Sequence, residues 1–196
     1  MVRISWHSKP KLRDGRLFFS RRGRTSEVTN QFLNQLIGEY SGFGTEVIAT
    51  GNSGEHAFTM ELGLRLRLAG GFAVEPFEYL DLFEQFGGVL DTPHSEVLRQ
   101  TVSVTQVETR NPHFHDNRGD SHVQDMRLQA LHVLYHSPVC PSSVRSDILD
   151  LLVSQGELKP GQEPPKERIY PAVGTLALDR FCDVMLTEAH TLRQLG

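Results

Sequence analysis

The stretch of residues 108 to 122, ETRNPHFHDNRGDSH, has the residue types that most directly suggest chemistry. It contains three histidines, of which His113 and His115 form a His-x-His pair, and three carboxylates. Imidazole nitrogens and carboxylate oxygens are groups that bind divalent metal ions in proteins. The spacing therefore predicts a metal site, provided that other parts of the chain supply further ligands.

A second chemical feature is the basic N-terminal part of the chain. Residues 1 to 24 carry eight lysines and arginines against one acidic residue, although the formal net charge of the whole chain is −4. Gly23 and Arg24 lie just before a predicted helix with Ser26 as its N-cap and Thr29 to Tyr40 as its body. Backbone N–H groups, a guanidinium and the positive end of a helix dipole would converge there. This pattern favours a phosphate-binding site; a capped surface helix beside solvated arginines is the alternative.

Two glutamates lie at predicted junctions between elements. Glu55 follows a glycine-containing loop, residues 50 to 54, and begins a predicted helix that ends at Leu68. An acidic residue at that point stabilises the positive end of a helix, so capping alone also explains it. Glu75 follows a predicted short strand, Phe72 to Val74. Strand ends are where α/β folds place ligand-binding side chains, so Glu75 is a candidate binding residue.

The hydrophobic periodicity alternates between strands and helices, which predicts an α/β fold. The further predicted elements are strands at residues 16–22, 47–49 and 102–109 and helices at residues 76–86, 125–137, 142–156 and 173–195. Residues 156–172 are rich in proline and charge and are predicted to form a linker. His132 and His136 are predicted to be packed or solvated residues of an amphipathic helix rather than ligands.

Composition excludes several classes of protein. At 196 residues and 38% hydrophobic, the chain can bury the core of one domain without staples. Two cysteines cannot form a disulfide framework, and no apolar run approaches the roughly 20 residues of a membrane span. The N-terminal residues lack the apolar region of a signal peptide, and no nucleic-acid recognition motif is visible. We therefore expect a cytoplasmic protein that binds neither membranes nor nucleic acids.

Four longer motifs occur in the order KPKLRDGRLFFSRRGRTSEVTNQFLNQLIG, TGNSGEHAFTMEL, GFAVEP and QVETRNPHFHDNRGDSHVQDM. Together they resemble the C-terminal half of the mannosyl-3-phosphoglycerate synthases, from about residue 3 to residue 136. The resemblance implies a retaining glycosyltransferase of the GT-A type. Such an enzyme, expected as a homodimer, moves mannose from GDP-mannose to 3-phosphoglycerate with a divalent metal, Mg²⁺ or Mn²⁺. The resemblance implies an acceptor-binding half of a GT-A domain (1–125). Periodicity and composition predict that a helical part (126–155), a linker (156–172) and a last helix (173–196) follow it.

The resemblance also implies roles for individual residues. In the related glucosyl-3-phosphoglycerate synthases a Gly-Arg-x-Thr stretch at a helix start binds the acceptor phosphate and carboxylate, and Gly23, Arg24 and Ser26 stand in it here. A Val-Glu pair at a strand end holds donor-sugar hydroxyls, which implies that role for Glu75. Glu55 would lie near the acceptor or the sugar. No covalent nucleophile is implied, because retaining transferases of this fold generally lack a clear one.

The resemblance accounts for only part of a metal site. A histidine after the last long strand binds the metal in this fold, which implies His113 or His115, with a slight preference for His113. The metal carboxylates come from an Asp-x-Asp motif in the N-terminal half, and this sequence contains no Asp-x-Asp. We therefore expect Met1 to correspond to an internal position of a longer enzyme, and the chain to need a complementing N-terminal half. A glucose transferase and a non-catalytic half-domain that binds phosphate or metal are the alternatives.

Overall fold

The computed structural model describes residues 1–6, 9–13, 15–20, 24–42, 46–87, 90, 102–109, 120–176, 179 and 182–183. Gly23, His113 and His115 lie outside these ranges, and the side chain of Arg24 is likewise not described. The main elements are β1 (Val2–Trp6), β2 (Lys9–Arg13), β3 (Arg16–Ser20), α1 (Arg24–Ser41), β4 (His56–Ala57), α2 (Met60–Arg65), β5 (Leu68–Ala69), α3 (Val74–Phe86), β6 (Thr105–Thr109), α4 (Asp120–His136), α5 (Ser142–Ser154) and β7 (Ile169–Tyr170). This mixture of helices and small sheets confirms the predicted α/β class.

The strand β1 lies between two partners in a three-stranded sheet of order β4-β1-β6. β6 runs parallel to β1 and places Thr109 opposite Trp6. β4 is antiparallel and places His56 opposite Arg3. The prediction of a strand within residues 102–109 is therefore confirmed, and the chain leaves β1 and β6 at the same edge of the sheet.

β2 and β3 form an antiparallel hairpin in which Arg13 lies opposite Arg16. This register leaves two residues in the turn, and one of them, Gly15, has a φ of 72°. Glycine adopts this left-handed conformation without steric cost, which is why Asp-Gly pairs are typical of such turns. The hairpin confirms the strand predicted from residue 16.

The helices α1, α3, α4 and α5 bury their apolar faces in one cluster. Its fully buried aliphatic side chains include Leu33, Leu36, Leu80, Leu131, Leu134, Ile148 and Leu152. Burial of each such side chain contributes roughly 1.5–3 kcal/mol, so this cluster is the main source of stability in the described part of the chain. Among the described residues, no helix combines the length and the apolar character needed to cross a bilayer.

The helix predicted from Glu55 to Leu68 is wrong at both ends. The carbonyl oxygen of Glu55 accepts a hydrogen bond from the N–H of Ile4 at 3.0 Å, and the two residues that follow form β4 against β1. The helix α2 begins only after Thr59, whose hydroxyl accepts from the N–H of Leu62. Its last turn is followed by β5, which pairs with β7. Pairing with distant strands therefore overrides the local helical preference.

The strand predicted at Phe72 to Val74 is also wrong. Gly71–Ala73 form a single 3₁₀ turn that continues directly into α3. The N–H of Phe72 donates to Oε1 of Gln129 on α4 at 2.7 Å, so a side chain takes the place of a neighbouring strand. Glu75 therefore lies in the first turn of a helix rather than at a strand end, where its charge also favours the helix dipole.

Residues 47–49, predicted as a strand, join no sheet because side chains bond their backbone groups. Ile48 donates its N–H to Oδ1 of Asn34 at 2.7 Å, and its carbonyl oxygen accepts from Nδ2 of the same side chain at 2.9 Å. The N–H of Ala49 donates to Oε1 of Gln106 on β6 at 2.8 Å. Two side-chain amides thus satisfy the groups that a strand would otherwise pair.

Two helix boundaries also differ from the prediction. α1 begins at Arg24, so Ser26 lies inside its first turn and is not its N-cap. Where a helix is predicted from Val173, Val173–Thr175 form one 3₁₀ turn and Leu176 is extended. Most residues beyond Leu176 lie outside the described ranges.

The proline-rich segment of residues 157–172 packs against α4. Nδ1 of His132 lies 2.8 Å from Oε1 of Glu167, and Nε2 of His136 lies 2.8 Å from the carbonyl oxygen of Pro164. Both histidines are therefore packed residues of a helix, as its amphipathic pattern predicts.

An ion-pair network joins α3 to the segment between α2 and β5. Asp81 on α3 is fully buried and accepts hydrogen bonds from the backbone N–H of Arg67 at 2.8 Å and from its Nε at 2.6 Å. The same guanidinium also pairs with Glu84. Burial raises the pKa of Asp81, and the bonds from Arg67 oppose that rise. Because the carboxylate has lost its water, it depends on these protein donors.

Replacing Asp81 by alanine should lower the free energy of unfolding by about 3 kcal/mol, because it removes a buried carboxylate that both the backbone N–H and the guanidinium of Arg67 bond. Denaturant titration measures this change. Glu61→Ala is the matched control, since Glu61 pairs with Arg65 on the surface of α2 and its loss should cost less than about 1 kcal/mol. Equal effects of the two substitutions would contradict the supporting role of Asp81.

Candidate functional site

Arg3 in β1 is completely buried although its side chain is charged. Nη1 donates to Oε2 of Glu78 on α3 at 2.5 Å. Nη2 donates to the carbonyl oxygens of Thr50 and Ser53, each at 3.0 Å. The guanidinium carbon also lies 4.6 Å from the centroid of the Tyr79 ring, a favourable cation–π distance. Arg3 therefore holds β1, α3 and the segment after Thr50 in one arrangement.

Residues 50–54, called the glycine loop below, reach from α1 to α3. The N–H of Gly51 donates to Oδ1 of Asn30 on α1 at 2.7 Å, and a Cβ at Gly51 would lie only 2.7 Å from that oxygen. At the other end, a Cβ at Gly54 would lie 3.5 Å from Oε1 of Glu75 on α3. Gly51 therefore lets the loop backbone approach α1 closely, whereas a Cβ at Gly54 would make only an ordinary contact with Glu75.

Glu78 bridges Arg3 and His56. Its Oε2 binds Arg3, while its Oε1 lies 3.2 Å from Nε2 of His56 on β4. Burial raises the pKa of Glu78 to about 7, although Arg3 acts in the opposite direction. Burial, followed by the positive charge of Arg3, lowers the pKa of His56, so its imidazole is uncharged at neutral pH. Buried Arg3 and Glu78 and half-buried His56 thus form one cluster, in which the carboxyl group of Glu78 has a pKa of about 7.

Glu75 precedes Glu78 by three residues, which places both on the same side of α3. Burial raises the pKa of Glu75; Arg3 and His56 oppose this shift, and Glu55 adds to it. The structure therefore brings the two glutamates singled out in the sequence, Glu55 and Glu75, into the electrostatic environment of the Arg3–Glu78–His56 cluster.

Buried polar atoms without hydrogen-bond partners concentrate around the glycine loop. Within the described residues, they include Oγ1 of Thr29, Nδ2 of Asn30, both amide atoms of Asn52 and Oε2 of Glu75. Native proteins pair nearly all such atoms, either internally or with bound water or ligand. We therefore take the glycine loop, together with the facing parts of α1 and α3, as the candidate binding site.

The acceptor residues predicted from the sequence lie at the start of α1. Because α1 begins at Arg24, its free backbone N–H groups lie where the phosphate was expected. Ser26 is half-buried in the first turn. Asn30 is six residues beyond Arg24, or about 9 Å along the helix. α1 therefore leads from the predicted acceptor residues directly to the glycine loop.

The described part of the chain contains no group of three or more histidine, cysteine, aspartate or glutamate side chains arranged to hold a metal ion. The predicted ligands His113 and His115 lie outside that part. Their segment follows β6, which ends at the same sheet edge as β1. The carboxyl ends of parallel strands are common ligand-binding positions, so the segment starts from a suitable edge.

The site also contains Arg3, Glu78 and Asn52, which no pattern in the sequence had indicated. Glu78 could have been found from its three-residue spacing to Glu75 if the helix had been predicted to begin at Val74. Arg3 had no comparable signal, because its partner Glu78 is 75 residues away in the sequence.

Comparison with known proteins identifies the family. Residues 1–185 match a family model described as mannosyl-3-phosphoglycerate synthase. This chain belongs to the mannosyl-3-phosphoglycerate synthase family. The matched range includes β1, the glycine loop, α3 and the histidine stretch, so the candidate site lies within it.

Two curated relatives show what share of a longer protein the chain covers. It is 39% identical to a mannosyl-3-phosphoglycerate synthase from Pyrococcus furiosus, with 100% of this chain and 50% of that protein covered. It is 38% identical to a mannosyl-3-phosphoglycerate synthase from Aeropyrum pernix, with 89% of this chain and 44% of that protein covered. The chain thus spans about half the length of the curated relatives it matches.

The pKa of Glu78 gives the chain a pH-dependent stability. Because this pKa is raised from 4.5 to about 7, the folded state holds a proton that the unfolded state has lost in this range. The free energy of unfolding contributed by Glu78 should therefore fall as pH rises from about 4.5 to 7. His56, with its lowered pKa, contributes the opposite slope below pH 6.5.

A Glu78→Gln variant separates the pH dependence of stability due to Glu78 from that due to His56. The substitution removes the titration of residue 78 and keeps the shape of the side chain. Urea unfolding at pH 5 and pH 8 should show the wild type losing stability relative to the variant at the higher pH. Stability curves that run parallel over this range would contradict the raised pKa.

Proposed function

We propose that this chain forms the acceptor side of a retaining mannosyltransferase that moves mannose from GDP-mannose to 3-phosphoglycerate. Family membership supports this reaction. The coverage of only about half of each relative supports a second polypeptide part that binds the nucleotide. A GT-A arrangement, a homodimer and a cytoplasmic location, all expected from the resemblance, belong to the same proposal.

One observation carries the proposal: the glycine loop reaches from Asn30, about 9 Å along α1 from its start, to Glu75. Gly51 bonds Asn30 on α1, and a Cβ at Gly54 would lie 3.5 Å from Oε1 of Glu75. A phosphate at the N-terminus of α1 and a sugar at Glu75 would therefore lie on the two sides of one loop. This is the arrangement that a transfer between a phosphorylated acceptor and a sugar requires.

The residues of this chain would contribute mainly by binding and orientation. Arg24 and the backbone N–H groups of α1 would hold the acceptor phosphate, which fixes the acceptor hydroxyl relative to the sugar. Glu75 would accept hydrogen bonds from sugar hydroxyls through its unpaired Oε2. The pair Arg3 and Glu78 would keep the glycine loop in place. Fixing two reactants in a productive geometry is itself a large part of many rate enhancements.

A divalent metal, Mg²⁺ or Mn²⁺, belongs to the proposal with His113 or His115 as one ligand. When bound, it would neutralise charge on the departing diphosphate. The described residues do not complete a ligand set, so its remaining carboxylates would come from the other part of the enzyme.

Replacing Arg24 by alanine should weaken the binding of 3-phosphoglycerate about tenfold or more, because a hydrogen bond to a charged group contributes roughly 1.5–3 kcal/mol. Calorimetric titration of the chain measures this affinity. Arg16→Ala is the matched control, since Arg16 is an exposed arginine of the same basic region and should leave the affinity nearly unchanged. A similar loss in both variants would mean that general positive charge, and not a built site, binds the anion.

Mannose transfer should require both parts of the longer relatives. The chain alone should form no product from GDP-mannose and 3-phosphoglycerate, and the N-terminal half of the Pyrococcus furiosus relative should restore product formation, as measured by chromatography. In the restored enzyme, Glu75→Gln should lower kcat/KM by a factor of about ten or more, because it weakens the acceptor for sugar hydroxyls. Transfer by the chain alone would contradict the two-part proposal. Faster transfer from GDP-glucose than from GDP-mannose would show that glucose is the preferred donor sugar.

A further inference from the structure

The strand β1 has an inverted burial pattern. Arg3 is completely buried, whereas Val2 beside it is 40% exposed. In folded proteins valine is among the residues most often buried, and arginine is rarely buried. Successive side chains of a strand point to opposite faces of its sheet, so the two faces of this sheet differ in what covers them.

The face that contains Arg3 is turned toward α3. His56 on β4 and Gln106 on β6 lie opposite Arg3 and therefore share its face. On this side Arg3 and His56 both contact Glu78. This face of the sheet is part of the candidate site described above.

The other face, called the open face below, consists of Val2, Ile4, Ala57, Thr105 and Val107. Ala57 and Thr105 lie opposite Val2, and Val107 lies opposite Ile4. Val107 is 41% exposed, Ala57 and Thr105 are also exposed, and Ile4 is half-buried. The open face thus presents four apolar side chains and one hydroxyl to the surface, and none of its five residues is charged.

Parallel pairing indicates that such a face is covered in the assembled protein. β1 and β6 are parallel over five residue pairs, and parallel strands occur almost only in sheets with both faces packed. Leu68 and Tyr170 are similarly exposed in the β5-β7 pair, but that pair is antiparallel. Antiparallel sheets can leave one face to water. Strand direction therefore distinguishes the open face from the other exposed apolar side chains.

We propose that the open face is the docking surface for the part of the longer synthases that this chain does not cover. This inference rests on the two-part enzyme of the proposed function and names the surface at which the parts join. The two relatives are matched over only 50% and 44% of their lengths, so a polypeptide of similar size is left to pack against this one.

The layered construction of α/β domains favours this occupant over a second copy of the chain. Such domains pack their layers around one hydrophobic core, so the cover of a parallel pair normally comes from the same domain. The matching surface of the partner should be apolar, because the open face offers no charge and only one hydroxyl group.

Cysteine labelling tests whether the open face is covered. Val107→Cys and Ile169→Cys are made in a Cys182→Ser background, which removes an exposed native thiol and keeps the buried Cys140. Ile169 on β7 is the matched control, because it is a strand residue that is 39% exposed. Each variant is produced together with the remaining half of the Pyrococcus furiosus relative, and light scattering reports whether the two polypeptides associate.

In the complex, maleimide labelling at position 107 should slow by about tenfold or more, because packed side chains exclude the reagent. Labelling at position 169 should keep its rate. The proposal is overturned by an unchanged rate at position 107 in the complex, or by the absence of any complex. Protection of position 107 in the chain alone, with a doubled mass, would also overturn it and assign the open face to a second copy.

Val107→Lys gives an independent readout. It should leave the melting temperature of the chain within a few degrees of the wild type, because the side chain is already exposed. It should weaken association by about tenfold or more, because the interface would bury an unpaired charge. Ile169→Lys should associate normally. Wild-type association of Val107→Lys contradicts the proposal, and the labelling result decides the matter if the lysine variant does not fold.

The docking surface and the proposed function fail in different ways. A complex that transfers mannose while position 107 keeps its labelling rate removes the docking role and leaves the function intact. A complex that protects position 107 but transfers no mannose supports the docking surface and removes the mannosyltransferase assignment.

Discussion

The buried pair of Arg3 and Glu78 is the interaction on which the arrangement of the site depends. A guanidinium removed from water is tolerated only when protein groups replace its hydration. The fold does this for both Nη atoms, with a carboxylate from α3 and two carbonyl oxygens from the glycine loop, while Nε has no hydrogen-bond partner among the described residues. Arg3, which is far from the loop in sequence, thus helps to fix the loop conformation through its bonds to two loop carbonyl oxygens. The same bonds position the loop residues that could contact a ligand.

Side-chain amides hold several irregular backbone segments near the site in position. The side chains of Asn34 and Gln106 accept hydrogen bonds from the N–H groups of residues 48 and 49. The side chain of Gln129 accepts one from the N–H of Phe72, just before α3. These contacts hold irregular segments in defined positions without adding strands to the sheet. Within the described part of the chain, Asn52 is an exception, because neither atom of its amide has a hydrogen-bond partner.

The sequence predicted the parts of the fold that depend on local periodicity. The helices α1, α4 and α5 follow from apolar spacing, and β3 was predicted as a short strand from residue 16, whereas its partner β2 was not predicted. Prediction failed where distant partners decide the conformation, at Glu55 to Ala57 and at Phe72 to Val74. For the site, Glu75 was selected for a position at a strand end that it does not occupy, and Arg3 was missed because a pairing over 75 residues leaves no local pattern.

The position of Arg3 has a consequence for dividing the longer synthases into separately produced pieces. The third residue of this chain supports the site, and the first residue is tied to the carbonyl oxygen of Ser103 by its amino group at 2.8 Å. A cut placed a few residues later would retain the glycine loop and α3 but remove the guanidinium that joins them. Glu78 would then be buried opposite His56 alone. A cut that keeps the site of this chain intact therefore has to lie before β1.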